Sequence, residues 1–236
     1  MIDLHSHILP GIDDGAKTAE DGRELLNQMN LQGVTVAVAT PHFFPLSALL
    51  DDFLLTRDAA LKELRAVLSS DFQLKIIPGA EVLYFGGIGK VEDVKALTLG
   101  NSRYLLLELL GLKKIDRQVL KDISDLKENL GLVPVIAHVE RYCKYKGYKD
   151  LLRLIESGEA LCQINATFMT SKSENRAVKE MLNRGIVHFV ASDCHHPVRR
   201  PVRLREAFAT LSEISPAETE KILRMSENLE RELCDL

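Results

Sequence analysis

The chain has 236 residues, 46% of them hydrophobic and 27% charged, with a formal charge of −4. Those values fit one large domain, residues 1–236, with a full core. The negative balance offers no field for a phosphate backbone, and no apolar run approaches the roughly 18 residues of a membrane span, so neither nucleic acid nor stable membrane insertion is expected.

In chain order, apolar runs at 2–5, 34–39, 74–78, 103–107, 132–137, 160–164 and 187–191 read as buried parallel strands. The first begins at residue 2 with no charged leader before it, which leads us to expect a cytoplasmic protein. It runs into His5-Ser6-His7, where the i, i+2 spacing of a strand aims two imidazoles at one point. Between the runs lie helical stripes, Leu49, Leu50, Phe53, Leu54, Leu61, Leu64 and Leu68 in one and Val119, Leu120, Ile123, Leu126 and Leu130 in another. Thr18, Asp116 and Ser171 are expected N-caps, Ser171 with Glu174 and Ser215 with Glu218 have capping-box spacing, and Pro216 suits a first turn. Gly33, Gly131, Gly158 and Gly185 are placed to close helices ahead of strands. After residue 200 only helical patterns remain, near 202–213, 216–225 and 226–234, suited to covering the outside or bottom of a barrel. Alternation of this kind indicates an α/β barrel or a doubly wound sheet.

Polar residues punctuate the ends of these runs. His42, Glu81, Glu108, His138, Asp193 and His195 end or follow the second, third, fourth, fifth and seventh; His5, His7 and Asp14 belong to the first and its loop. In a parallel barrel those ends share one face, where active sites are built. Five histidines, two aspartates and two glutamates exceed the four or so ligands of one zinc, so two or three ions sharing carboxylates are expected.

At this point the residues resemble a known family. His5-Ser6-His7, Thr40-Pro41-His42, Gly79-Ala80-Glu81, the stretch from Ala137 to Tyr142 and Ala191-Ser192-Asp193-Cys194-His195 are similar to the polymerase and histidinol phosphatase (PHP) superfamily. Within it, the run from His7 to Gly15 resembles bacterial manganese-dependent protein-tyrosine phosphatases of capsule and exopolysaccharide operons. The resemblance implies a distorted (β/α)7 barrel of the TIM-like, PHP type. It implies one metal on His5, His7, Glu81 and Asp193, a second on Glu81, Glu108 and His138, and a third on Asp14, His42 and His195. Arg141 and Arg200 then fall where such enzymes grip phosphate, and the substrate implied is the phosphotyrosine tail of a bacterial tyrosine kinase. Metal-assisted monoester hydrolysis needs no side-chain nucleophile, because coordination brings the pKa of water down to about 7. The resemblance implies manganese, while histidine and carboxylate ligands without thiolate permit manganese, iron, cobalt or zinc. Histidinol phosphate or another small ester is the alternative substrate; a noncatalytic metal-stabilised module is the reading of a different class.

Cys194 departs from the resemblance, standing where a small residue is expected. Cys194 to Arg200 has C-x5-R spacing, but the stretch lacks glycine, Pro197 has no N–H to give, and Pro201 follows the arginine, so a phosphate-cradling thiolate loop is not expected. Cys143, Cys162, Cys194 and Cys234 have no CxxC pairing and are expected to be reduced. Gly86-Gly87-Ile88-Gly89-Lys90 lacks the first P-loop glycine and reads as a mobile turn near the site mouth. No G-x-S-x-G elbow occurs. His196 is expected exposed in a loop, His188 has no evident role, and Phe43, Phe44, Tyr84 and Phe85 are candidates for an aromatic pocket.

Overall fold

The computed structural model describes residues 1–235. Each of the seven apolar runs coincides with a strand to within a few residues: β1 (Ile2–Ser6), β2 (Val36–Ala39), β4 (Lys75–Pro78), β6 (Tyr104–Glu108), β7 (Val133–Ile136), β8 (Leu161–Asn165) and β9 (Phe189–Ala191). Two runs break and resume, adding β3 (His42–Phe43) and β5 (Glu81–Leu83). The second run breaks at Thr40-Pro41, where proline has no N–H for a ladder. The third breaks at Gly79, where a Cβ would come within 3.2 Å of Val38 and 3.0 Å of Leu99. The restarted strands pair in parallel with His42 beside Glu81, so both side chains arrive at one level.

All strand pairs are parallel, in the orders β1-β2-β4 and β3-β5-β6-β7-β8-β9. The sheet curls until its ends approach: Ser6 and Cys194 form a parallel bridge, Asp193 N–H donates to the His5 carbonyl and His7 N–H to the Cys194 carbonyl, both at 2.9 Å. Its concave face carries Ile2, Leu4, Val38, Leu106, Val135 and Phe189, and the C-terminal helix inserts Leu229 and Leu233 against them. The ligand-type residues lie beyond this apolar plug, at the strands' C-terminal ends. Ile2 and Leu4, two apart on β1, both join the plug, and the strand carries a register shift between Asp3 and Ser6, where His5 and His7 lead into the mouth.

The convex face packs against α1 (Ala19–Leu31), α2 (Leu50–Ala66), α3 (Arg117–Leu130), α4 (Tyr148–Glu156) and α5 (Lys172–Arg184). Thr18 and Asp21 complete a capping box, Asp116 accepts from Gln118 and Val119 N–H, and Ser171 accepts from Glu174 N–H. Gly131 and Gly185 end α3 and α5 in the left-handed conformation.

Four expectations need correction. Residues 216–225 and 226–234 form one helix, α7 (Pro216–Asp235), following α6 (Leu204–Ile214). Nothing between them breaks a helix, and Ser226 turns its hydroxyl back onto the Ile222 carbonyl. The Ser215–Glu218 box does not form: Ser215 ends α6, and Glu218 pairs with Lys221. The 86–90 turn is pinned to α3, with Ile88 fully buried, Gly87 N–H on Asp122, and no room for a Cβ at Gly89 beside Asp125. Leu49 belongs to no core: it stands 74% exposed at the start of α2, where it offers no side-chain cap.

Candidate metal centre

All nine ligand-type side chains converge on the mouth of the curled sheet. Around Glu81, His5 Nε2 is 3.3 Å and His7 Nε2 3.4 Å from Oε2, and His42 Nδ1 is 2.9 Å from the same oxygen. His138 Nε2 lies 2.9 Å from Glu81 Oε1 and 3.3 Å from Glu108. Asp14 Oδ1 stands 3.4 Å from both His42 Nε2 and His195 Nε2. Asp193 Oδ1 is 3.5 Å from His5 and from His7. Except for Asp14 and partly His42, these groups are shielded from solvent.

Hydrogen bonding fixes which imidazole nitrogen points inward. Gln163 Oε1 already accepts from His138 N–H at 2.9 Å, so the 3.1 Å contact with His5 Nδ1 makes that nitrogen a donor. His7 Nδ1 donates to Asp13 Oδ2 at 2.7 Å, and His195 Nδ1 to the Asp193 carbonyl at 3.0 Å. With Nδ1 of each ring spent on an acceptor, His5 and His7 turn their Nε2 atoms toward one another, 3.2 Å apart and beside the buried Glu81 Oε2. Such an arrangement requires a positive charge at its centre. Bonds of about 2.1 Å to one ion separate neighbouring ligand atoms by roughly 3.0–3.4 Å, close to the spacings of His5, His7, Glu81 and Asp193. The residues fit a divalent ion.

Without an ion, protons take that role. Burial opposes charge on His7 and His138, but hydrogen bonds to Asp13 and Glu81 carry His7 up to about 10, and those to Glu108 and Glu81 carry His138 up to about 9. His195 goes the other way, to about 3, through burial and the nearby His7. Burial also works against Glu81, yet the surrounding imidazoles hold it well below the usual carboxylate range.

Sequence reasoning missed the residues that hold the imidazoles. Asp13 anchors His7, accepts from Gly15 N–H and from His42 N–H, and so ties the first loop to β3. Gln163 holds His5; the Tyr142 hydroxyl lies 3.1 Å from His138 Nδ1; Asn165 Nδ2 donates to Asp193 Oδ2 at 2.6 Å. Gln163 and Asn165 were detectable as two polar residues at i, i+2 in an otherwise apolar strand. Asp13 was hidden by its neighbour Asp14, the better-placed ligand candidate.

Arg141 and Arg200 come together on Asp193. Each spends one Nη2 on Oδ2, at 2.8 and 2.9 Å, leaving Asp193 Oδ1 to the histidines. Both guanidiniums stay partly open to solvent, 33% and 40% exposed. His196 organises the loop that presents Arg200: its ring accepts from Val198 and Arg199 N–H, and its backbone pairs with Arg200. Cys194 is fully buried in the hydrophobic core, and burial raises its thiol far above the ordinary range, so no thiolate faces this site. His188 accepts from Cys162 N–H and serves the sheet. Of the four aromatic candidates, Phe43 is buried edge-on against Phe53, Tyr84 donates to Asp122, and Phe85 packs on the core, whereas Phe44 stacks on His42 with ring centres 5.2 Å apart.

His138 and Asp193 both adopt left-handed backbone, φ 35° and 50°. For non-glycine residues this costs roughly 1–2 kcal/mol each. The conformation turns each side chain sharply at a strand's end into the mouth of the sheet.

Comparison with known proteins places this arrangement. The tyrosine-protein phosphatase CpsB of Streptococcus pneumoniae is 34% identical over 224 residues, 88% of either chain. The crystal structures of YwqE from Bacillus subtilis and CpsB from Streptococcus pneumoniae, described as metal-dependent tyrosine phosphatases, provide a match of TM-score 0.79 at 28% identity, covering 98% of this chain and 93% of that one. Histidinol phosphate phosphatase from Lactococcus lactis, solved with zinc, histidinol and phosphate, shares the fold at TM-score 0.58 and 15% identity, over 91% of this chain and 95% of its own. The model of the family described as capsular polysaccharide synthesis, CpsB/CapC, matches residues 1–230, and the chain belongs to that family.

Proposed function

We propose that this protein is a metal-dependent protein-tyrosine phosphatase with one catalytic domain spanning 1–236, built on a distorted (β/α)7 barrel of the PHP type, in which two of the seven strand runs are broken, and working in the cytoplasm. The observation that carries the reading is the buried set of inward imidazole nitrogens and carboxylate oxygens, with two arginines at its rim. His5, His7, Glu81 and Asp193 would hold one divalent ion, Glu81, Glu108 and His138 a second, and Asp14, His42 and His195 a third. Manganese suits these ligands, as do iron, cobalt and zinc. When bound, such ions draw charge from phosphoryl oxygens and bring the pKa of water toward neutrality.

The protein's own residues do the rest. Arg141 and Arg200 bind the phosphate oxygens through the N–H groups not spent on Asp193, giving forked, charge-assisted hydrogen bonds where negative charge accumulates. Asp13, Gln163 and the Asp193 carbonyl hold three imidazoles in the required tautomer. Tyrosine's hydroxyl, with a pKa of about 10, departs without a dedicated proton donor, unlike an alkyl alcohol. The substrate we infer is the phosphotyrosine tail of a bacterial tyrosine kinase that governs capsule or exopolysaccharide synthesis. No helix among the described residues is long and apolar enough to cross a membrane.

The test is hydrolysis of a phosphotyrosine peptide and of histidinol phosphate by protein of measured metal content, with and without chelator. Faster turnover of the peptide, lost with the metal, is expected; preference for histidinol phosphate would make it a small-molecule phosphatase.

A further inference from the structure

A long trough leads away from the metal centre, and neither Arg141 nor Arg200 forms part of its wall. Its first hollow, about 850 Å³, begins at Asp14, His42 and Glu108 and continues between Phe44, Leu49 and Leu110. Past Phe44 it opens into a second hollow of about 600 Å³ beside Leu46, Tyr84 and Phe85. Phe44 is 42% exposed, Leu110 53%, Leu49 74% and Leu46 97%. Single exposed apolar residues are ordinary, but a contiguous group beside an active site marks a binding surface. Leu49 adds an independent sign: it occupies the N-cap of α2 without capping it, where Ser, Thr, Asp or Asn would stabilise the helix.

Charge divides the site in two. Neither hollow has a lysine or arginine in its wall, while Asp14 and Asp52 line the first; Arg141 and Arg200 both lie on Asp193. A bound phosphate ester therefore turns its phosphate toward the arginines and the remainder of the molecule into the trough. The space exceeds what one phenyl ring fills, since pockets of roughly 300–1,000 Å³ take whole drug-sized ligands.

We propose that the trough is the subsite for the polypeptide around the phosphotyrosine, selecting substrates with large apolar residues beside it and rejecting acidic neighbours. This rests on the phosphatase reading above and adds the sequence context it reads.

The test uses manganese-loaded wild-type protein and three phosphotyrosine peptides that differ only in their flanking residues: Leu and Phe, Ser and Gly, or Asp and Glu. Phenyl phosphate serves as the reference substrate. The apolar peptide should exceed the acidic one in kcat/KM by about tenfold or more, chiefly through KM. In the double variant Leu46→Ser, Leu49→Ser, the ratio of apolar peptide to phenyl phosphate should fall by about tenfold. Equal kcat/KM for all three peptides would overturn the subsite while leaving the phosphatase intact. Failure to hydrolyse any phosphotyrosine peptide, with other phosphate esters still cleaved, would overturn both. A flat peptide profile together with a dimer that the double variant dissociates in sedimentation would assign the trough to a second copy of the chain instead.

Discussion

Asp13 touches no ion in the ligand scheme proposed here, yet it sets the tautomer of His7, supports the Gly15 turn and holds the start of β3. Asp13→Asn should raise the metal concentration needed for half-maximal activity by about 10–100-fold, read from manganese titrations, with activity recovering at saturation. Arg200→Lys keeps the charge but loses the fork, and should lower kcat/KM about 10–100-fold for every phosphate ester tested. Phe44→Ala should instead discriminate aryl from alkyl phosphates. Cys194→Ala and thiol alkylation should both spare activity, because the thiol faces the core; inactivation by either would revive the C-x5-R mechanism. Metal binding must also expel the protons that His7 and His138 hold up to about pH 10 and 9. Affinity should therefore rise with pH across the neutral range. Calorimetric titration in buffers of different ionisation heat checks this, and binding without proton release would contradict it.

At the level of elements, all seven strand-bearing runs were legible as apolar stretches, and the ligand candidates were legible because the ends of parallel strands gather on one face. The breaks that create β3 and β5 were not, since a two- or three-residue strand has too little periodicity to be detected. The two helical patterns expected at 216–225 and 226–234 run on as the single α7, in which the Ser226 hydroxyl bonds the Ile222 carbonyl one turn back and so continues the helix. Gln163 was marked by its polarity in an apolar strand but its partner, 158 residues away, was not, and Tyr142 escaped because its hold on His138 depends on a single turn. The loop from β1 to α1 gives a direct test of positioning. A Cβ on Gly15 would lie 2.3 Å from the His7 carbonyl oxygen and 2.5 Å from His7 Cβ. Gly15→Ala should displace Asp13 and Asp14 together, so tight metal binding and activity fall in parallel while circular dichroism keeps its helical signal.

At the scale of the molecule, the centre joins β1 to the segment after β9 and to every strand run but that of β8. An ion that binds only the folded chain stabilises it by about 2.7 kcal/mol at a hundred times its Kd, so chelation should lower Tm by roughly 5–10 °C for a chain of this size. An unchanged Tm in calorimetry, with metal loss verified, would count against a structural role. The seam where Ser6 meets Cys194 also sets a schedule for biogenesis. His5 and His7 leave the ribosome first, but Asp193 and His195 follow about 10–40 s later at ordinary rates of synthesis. Until then the growing chain carries His5 and His7 with Asp13 and Glu81 but without Asp193, and cannot close the sheet. Filling of the site assigned to His5, His7, Glu81 and Asp193 is consequently a late event, available only once Asp193 has been synthesised.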